Sequence, residues 1–152
     1  MTPQDFIATL GPPAQASAKL TDVPASFVVA EGALESGWGS SELSVQGKNI
    51  FGVKADPSWH GDILTMKTRE YIRGVWIMVP ARWRKYDTWD RCIADHAAFL
   101  RSNQRYSAAF QFSNDAVEFT RHIATAGYAT DPGYADKICA LMQEHNLTKL
   151  DD

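Results

Sequence analysis

One carboxylate stands at the end of an apolar run. Phe27-Val28-Val29-Ala30 leads into Ala33-Leu34-Glu35-Ser36-Gly37-Trp38-Gly39, where two glycines bracket a tryptophan directly after the acid. A helix that is apolar almost all round is a buried, central one, and glycine just past its last turn stops it. Such a helix delivers Glu35 to the wall of a cleft, a setting suited to general acid catalysis. Spacing alone equally allows Glu35 merely to end a core helix. Glu31 lies one turn earlier on a similar face. If both are partly buried, their repulsion raises one pKa; otherwise Glu31 points to solvent or caps a neighbour.

Other chemistries lack their residues. The chain has no His-Glu-x-x-His, no phosphate loop and no Gly-x-Ser-x-Gly elbow, so neither a metal nor a cofactor is expected. Cys92 and His96 are four apart, but Cys92 falls on an apolar stripe, whereas a nucleophilic thiol is exposed and activated. Cys92 and Cys139 are expected to be free and buried, with one disulfide between them as the alternative. His96, on the same stripe, reads as a satisfied core or cleft histidine. What remains is carboxylate chemistry. Glycoside hydrolysis needs a protonated carboxyl for the leaving oxygen and a second group to activate water or stabilise the cation. Glu35 is the candidate acid. Glu70, in Thr68-Arg69-Glu70-Tyr71, is the acid most readily placed on a facing lobe, the arrangement of which lysozyme is the type case. Its alternative is an exposed strand residue paired with Arg69 or Arg73.

The elements that would position these groups are legible in order. Thr2 caps a first helix with Pro3 at its first position; Gly11-Pro12-Pro13 is expected to break or kink it, leaving a short helix from Ala14 to Leu20. After a turn at Thr21-Asp22-Val23-Pro24, the apolar helix runs from about Pro24 to Ser36. Ser40 to Leu43 forms a helical turn and Gln46 to Asn49 a loop. Between Asp56 and about Tyr86, Pro57, Gly61, Gly74 and Pro80 punctuate three short strands, Ile63 to Thr68, Tyr71 to Met78 and Arg82 to Tyr86. This is a small β-lobe, at about 56–86, set into a helical protein. Helical periodicity returns with Trp89, Cys92, Ile93, His96, Phe99 and Leu100. Tyr106 to Phe110 makes a further turn. Asp115 with Glu118 resembles a capping box for a helix reaching about Ala126. The last helix starts near Asp131-Pro132, with Ile138, Leu141, Met142 and His145 facing inward. The expected fold class is α+β, mainly α, in a single domain over 1–152.

Composition narrows the partners. The 152 residues are enough to bury roughly two-thirds of the unfolded surface. A net charge of −3 argues against a dedicated nucleic-acid binder. The segment from Lys67 to Arg91 nevertheless has seven Lys or Arg against three acids; it is either a solvated face or a surface for an acidic polymer. No apolar run of about 18 residues exists, so no membrane span is expected, and the amino terminus lacks the basic and apolar regions of a secretory signal. Five tryptophans and five tyrosines are many for this length. They fill a core or stack on sugars, and Trp38, Phe51, Trp59 and Tyr106 are the stacking candidates.

Five stretches, taken together and in order, resemble glycoside hydrolase family 73, the glucosaminidase domain of flagellar peptidoglycan hydrolases and autolysins. They are Ala33-Leu34-Glu35-Ser36-Gly37-Trp38-Gly39; Asn49-Ile50-Phe51-Gly52-Val53-Lys54; Thr68-Arg69-Glu70; Arg105-Tyr106; and Gly127-Tyr128-Ala129-Thr130-Asp131-Pro132 with Tyr134-Ala135. The resemblance implies a lysozyme-like fold with a mobile β-lobe and cleavage of the β-1,4 linkage on the reducing side of N-acetylglucosamine in peptidoglycan. It implies Glu35 as general acid, Glu70 as the second carboxylate, and Tyr128 as a group assisting the N-acetyl group or the reaction centre. Asn49 joins the aromatic residues as a substrate-binding candidate. Gln104 stands where the family often has proline, and the loop between Lys54 and Glu70 is short. A muramidase or lytic transglycosylase on the same fold, and a silent wall-binding module, are the alternatives. The partner is a peptidoglycan strand met by a monomer. Without a signal, export as a phage-type endolysin through holin pores or as an antibacterial type VI secretion effector is expected, the latter with an immunity protein plugging the cleft.

Overall fold

The computed structural model describes residues 1–152 and is mostly helical with one two-stranded sheet. Helix α1 spans Pro3–Thr21, capped by the Thr2 hydroxyl, which accepts from the Asp5 N–H at 3.1 Å. It runs unbroken through Pro12 and Pro13, where the sequence predicts a break or a kink. Tertiary packing overrides the prolines: Phe6, Leu10 and Ala14 are fully buried on one stripe across the site. Gly11, which precedes the first proline, has no Cβ to meet its ring.

Helix α2, Ala25–Ser36, is the axis of the molecule. Every residue from Ala25 to Ala33 is buried. Its N-cap is Pro24, which offers no side-chain acceptor. The missing cap comes from the other end of the chain: the Asp151 carboxylate accepts from the Ser26 N–H at 2.9 Å and from the Ser26 hydroxyl at 2.5 Å. A carboxylate there also meets the positive end of the helix dipole. At the far end Gly37, Trp38 and Gly39 all take positive φ. A Cβ on Gly39 would lie 3.2 Å from both the Phe6 and Trp89 rings. The Ser36 hydroxyl donates to Gly32 O at 2.6 Å and accepts from the Gly39 N–H at 2.8 Å, tying this turn to the helix.

Short helix α3, Glu42–Gly47, leads to the lobe. Strands β1, Ile63–Ile72, and β2, Val75–Arg84, pair antiparallel from Ile63↔Arg84 to Ile72↔Val75. The three expected strands are thus one long hairpin. Its turn is Arg73-Gly74, with φ of 52° and 80°, the positive pair that a two-residue type I′ turn requires. Pro80 does not interrupt β2, because both strands of a two-stranded ribbon have a free edge. The core cluster of 26 buried apolar residues takes none from the hairpin strands.

Helix α4, Trp89–Ser102, is capped by Thr88; α5, Ala116–Thr125, by Asp115; and α6 spans Tyr134–Glu144. Short 3₁₀ segments, Gln104–Phe112 and Leu147–Asp151, link and close the helical body. Cys92 is buried and Cys139 half-buried, and both are free thiols. No helix is long and apolar enough to cross a membrane.

Replacing Asp151 by alanine leaves the α2 terminus uncapped. The expected outcome is a loss of about 1 kcal/mol, read as a thermal midpoint lower by about 3 °C, with unchanged activity per folded molecule.

Candidate active site

The last turn of α2 opens onto a cleft of about 700 Å³. One wall is α2, with Glu31 and Glu35; another is the loop Phe51-Gly52-Val53-Lys54; the rest comes from α4, from Arg105-Tyr106 and from Tyr128-Ala129-Thr130. Glu35 reaches solvent in this cleft. Its pKa is nevertheless raised, because the walls strip part of its hydration. The negative end of α2 adds to the preference for the neutral form.

Glu31 is fully buried. Burial pushes its pKa up to about 7, against the pull of hydrogen bonds from Tyr134 and Tyr128, and with a further push from the charge of Glu35. The Tyr128 hydroxyl donates to Glu31 Oε1 at 2.8 Å, and the Tyr134 hydroxyl donates to Oε2. His96 Nε2 lies 2.8 Å from the Tyr128 oxygen. The imidazole stacks on Phe51, with ring centres 3.9 Å apart, and its pKa is lowered by burial to about 4. It is therefore neutral at physiological pH. Burial also raises the Tyr128 and Tyr134 pKa values, which keeps both hydroxyls protonated.

The structure brings together some of the residues singled out in the sequence and disperses others. Glu35, Phe51, Tyr106 and Tyr128 line the cleft. Tyr106 is 1% exposed, so its ring has no free face for a sugar; it packs against Phe99 and Tyr128, and its buried hydroxyl has no partner. Phe99, 39% exposed at the same wall, has the accessible ring. Trp38 packs on Phe6 and His145, outside the cleft lining, because its positive φ turns the chain away after Glu35. Asn49 is buried and spends its amide inside the fold, donating to Val53 O and Arg84 O at 2.9 Å and accepting from the Val53 N–H. Trp59 lies under the lobe, against Tyr86 and the Arg84 guanidinium.

Glu70 is on the hairpin and outside the cleft lining. It lies 3.8 Å from the Lys54 ammonium, which does line the cleft. Its partner is therefore Lys54, not Arg69 or Arg73. The base of the lobe is tied to α4 through Asp95, which accepts from Arg84 Nη1 at 2.8 Å and from the Tyr86 hydroxyl at 2.5 Å. Sequence reasoning gave Asp95 no role and found no partner for Glu31. The i, i+4 spacing from Glu35 was the one available signal for Glu31.

A helical body, a β-hairpin lobe and a carboxyl at the end of the central helix define a lysozyme-like glycosidase fold. The family model described as mannosyl-glycoprotein endo-beta-N-acetylglucosaminidase matches residues 11–147, and the chain belongs to this glucosaminidase family, glycoside hydrolase family 73. It is 38% identical over 146 residues to the peptidoglycan hydrolase FlgJ of Vibrio parahaemolyticus, covering 94% of this chain and 47% of that protein. It is 36% identical to the exo-glucosaminidase LytG of Bacillus subtilis over 98% of this chain and 54% of that protein. The chain spans about half the length of these curated relatives. Among solved structures, the catalytic domain of the autolysin Auto from Listeria monocytogenes superposes with a TM-score of 0.89 at 32% identity, covering 98% of this chain and 87% of that one.

The two buried titratable groups set a pH signature for stability. Between about pH 4.5 and 7 the folded chain holds a proton on Glu31 that the unfolded chain has lost, so stability falls as pH rises. Between about pH 6.5 and 4 unfolded His96 takes a proton that the folded chain refuses, so stability falls as pH drops. The two slopes oppose each other where the windows overlap. For Glu31→Gln, the unfolding free energy is expected to climb with pH across that overlap more steeply than in the parent, by up to about 1.4 kcal/mol per pH unit, as measured by denaturant unfolding.

Proposed function

We propose that the chain hydrolyses the β-1,4 bond between N-acetylglucosamine and N-acetylmuramic acid in peptidoglycan. The observation that supports this best is Glu35: a carboxyl with a raised pKa, fixed at the end of a buried helix, in the wall of an open cleft. That is what protonating a glycosidic oxygen requires. The family, and relatives that are a peptidoglycan hydrolase and an exo-glucosaminidase, supply the substrate class. Phe99 offers the exposed ring for a sugar face, and Tyr128 offers a hydroxyl to the N-acetyl group.

Glu70 enters this mechanism by movement of the lobe. The hairpin lends nothing to the core, so its closing over a bound strand would bring Glu70 toward the reaction centre as base on a water. Carboxyls roughly 6.5–9.5 Å apart would serve an inverting reaction. In a substrate-assisted reaction the sugar's own N-acetyl oxygen attacks and Tyr128 orients it, leaving Glu70 dispensable. The substrate lies outside the cytoplasmic membrane. Holin release and type VI injection are the delivery routes attached to this reading, and a neighbouring holin or immunity gene decides between them.

Digested peptidoglycan examined by mass spectrometry should show new reducing N-acetylglucosamine ends. Reducing N-acetylmuramic acid ends would assign a muramidase and anhydro ends a lytic transglycosylase, while binding without cleavage would leave a wall-binding module. Glu35→Gln should lower kcat by at least about 100-fold. Glu70→Gln should lower it comparably if Glu70 is the base, and by no more than a few-fold if the substrate assists itself.

A further inference from the structure

Glu31 is a buried acid that the reaction as described does not use. It sits one turn behind Glu35 and belongs to a hydrogen-bonded chain that ends in the cleft. Tyr134 comes from α6, Tyr128 from the loop after α5 and His96 from α4. Four polar side chains from four parts of the fold converge with no cation paired to the carboxylate. Such a chain is costly to bury unless every member is satisfied. Here each hydrogen bond fixes the next.

The proton count of the chain has two forms. With Glu31 ionised, Tyr134 donates to Oε2, Tyr128 donates to Oε1, and His96 Nε2–H donates to the Tyr128 oxygen. Every hydrogen points inward, and Tyr128 has only acceptor capacity left for the cleft. With Glu31 protonated, the carboxyl has a hydrogen of its own to donate. If it donates to Tyr128, the phenol's hydrogen must turn to His96, in its other tautomer, or into the cleft. One proton at Glu31 thus redirects the Tyr128 hydrogen, either to His96 or into the cleft.

We propose that Glu31 is a positioning residue of the glycosidase site, holding the Tyr128 hydroxyl between itself and His96 and setting the direction in which that hydroxyl donates. This rests on the glycosidase reading given above and names a residue which that reading leaves without a role. The groups facing Glu31 bear on its proton from each side: Glu35 on its own helix, Tyr134 from α6, Tyr128 with Tyr106 behind it, and His96 with Asp95 beside it on α4. The cleft cations Lys54 and Arg105 line the outer wall.

The test is the pH dependence of peptidoglycan cleavage by the full chain and three variants, Glu31→Gln, Tyr134→Phe and Glu35→Gln. The parent kcat/KM profile is expected to break near pH 7, where Glu31 titrates. Glu31→Gln should remove that break and lower kcat by about tenfold, the worth of one hydrogen bond to a charged group, with KM little changed. Tyr134→Phe deletes a donor to the carboxylate, so the break should survive and move to higher pH. A purely structural Glu31 would lower the thermal midpoint of its variant and leave the profile superimposable on the parent's; that result overturns the proposal. So does a Tyr134→Phe break that stays in place, which keeps the test decisive if Glu31→Gln does not fold. Loss of activity in Glu35→Gln alongside an unmoved Glu31→Gln profile would sink the positioning role alone, whereas a parent that never cleaves would sink both readings.

Discussion

Complete burial of α2 is the constraint on which the rest of the structure depends. A helix enclosed on all sides can present nothing to solvent except at its ends. Its sequence is accordingly apolar or small from Ala25 to Ala33, with Glu31 the one acid. Both ends then need special treatment. The amino end, headed by a proline, takes its cap from Asp151, and the carboxyl end is closed by a left-handed turn built on two glycines. The backbone that carries Glu35 is thereby fixed at the end of the helix.

Around that axis the polar interior is organised by satisfaction rather than by charge pairing. Glu31 has no arginine or lysine partner; two tyrosines serve it, and a neutral imidazole serves one of them. His96 in turn is stacked on Phe51, with Phe27 nearly parallel to it farther off. Formal ion pairs lie at the periphery, where Arg84 joins Asp95 and Asp56 at the base of the lobe. The interior therefore keeps protons in definite places, and the rim keeps elements in definite places.

Much of this was legible in the sequence, and what was not has a physical reason. Caps at Thr2 and Asp115 are local chemistry and appear in the structure where the residues predict them. The enclosed helix showed in its lack of a polar face, and Glu35 in the glycines that stop it. Local rules failed where distant packing decides. Pro12-Pro13 stays helical because Phe6, Leu10 and Ala14 are already committed to the core. The hairpin was divided into three because Arg69-Glu70 and Pro80 were read as breaks while Gly74 was placed inside a strand; only strand pairing puts the turn at Arg73-Gly74 and shows Pro80 to be an edge residue. Residue type alone could not tell which way a side chain faces: Trp38 packs on Phe6 and His145, Trp59 on Tyr86 and the Arg84 guanidinium, and Asn49 spends its amide on Val53 and Arg84. Glu31 could not reveal its role because Tyr134 is 103 residues away in the chain.

The hairpin, finally, separates two kinds of selection. Its strands bury no residue in the core, and its outer half exposes Tyr71, Ile72, Val75, Trp76, Ile77 and Met78 together. Folding stability therefore places almost no demand on what those positions are or on how long the ribbon is. Two residues can be added or removed across the turn without disturbing the register at the base, where Asn49 and Arg84 fix it. A protein built this way can change the reach and chemistry of its arm by editing a part whose failure does not unfold the whole.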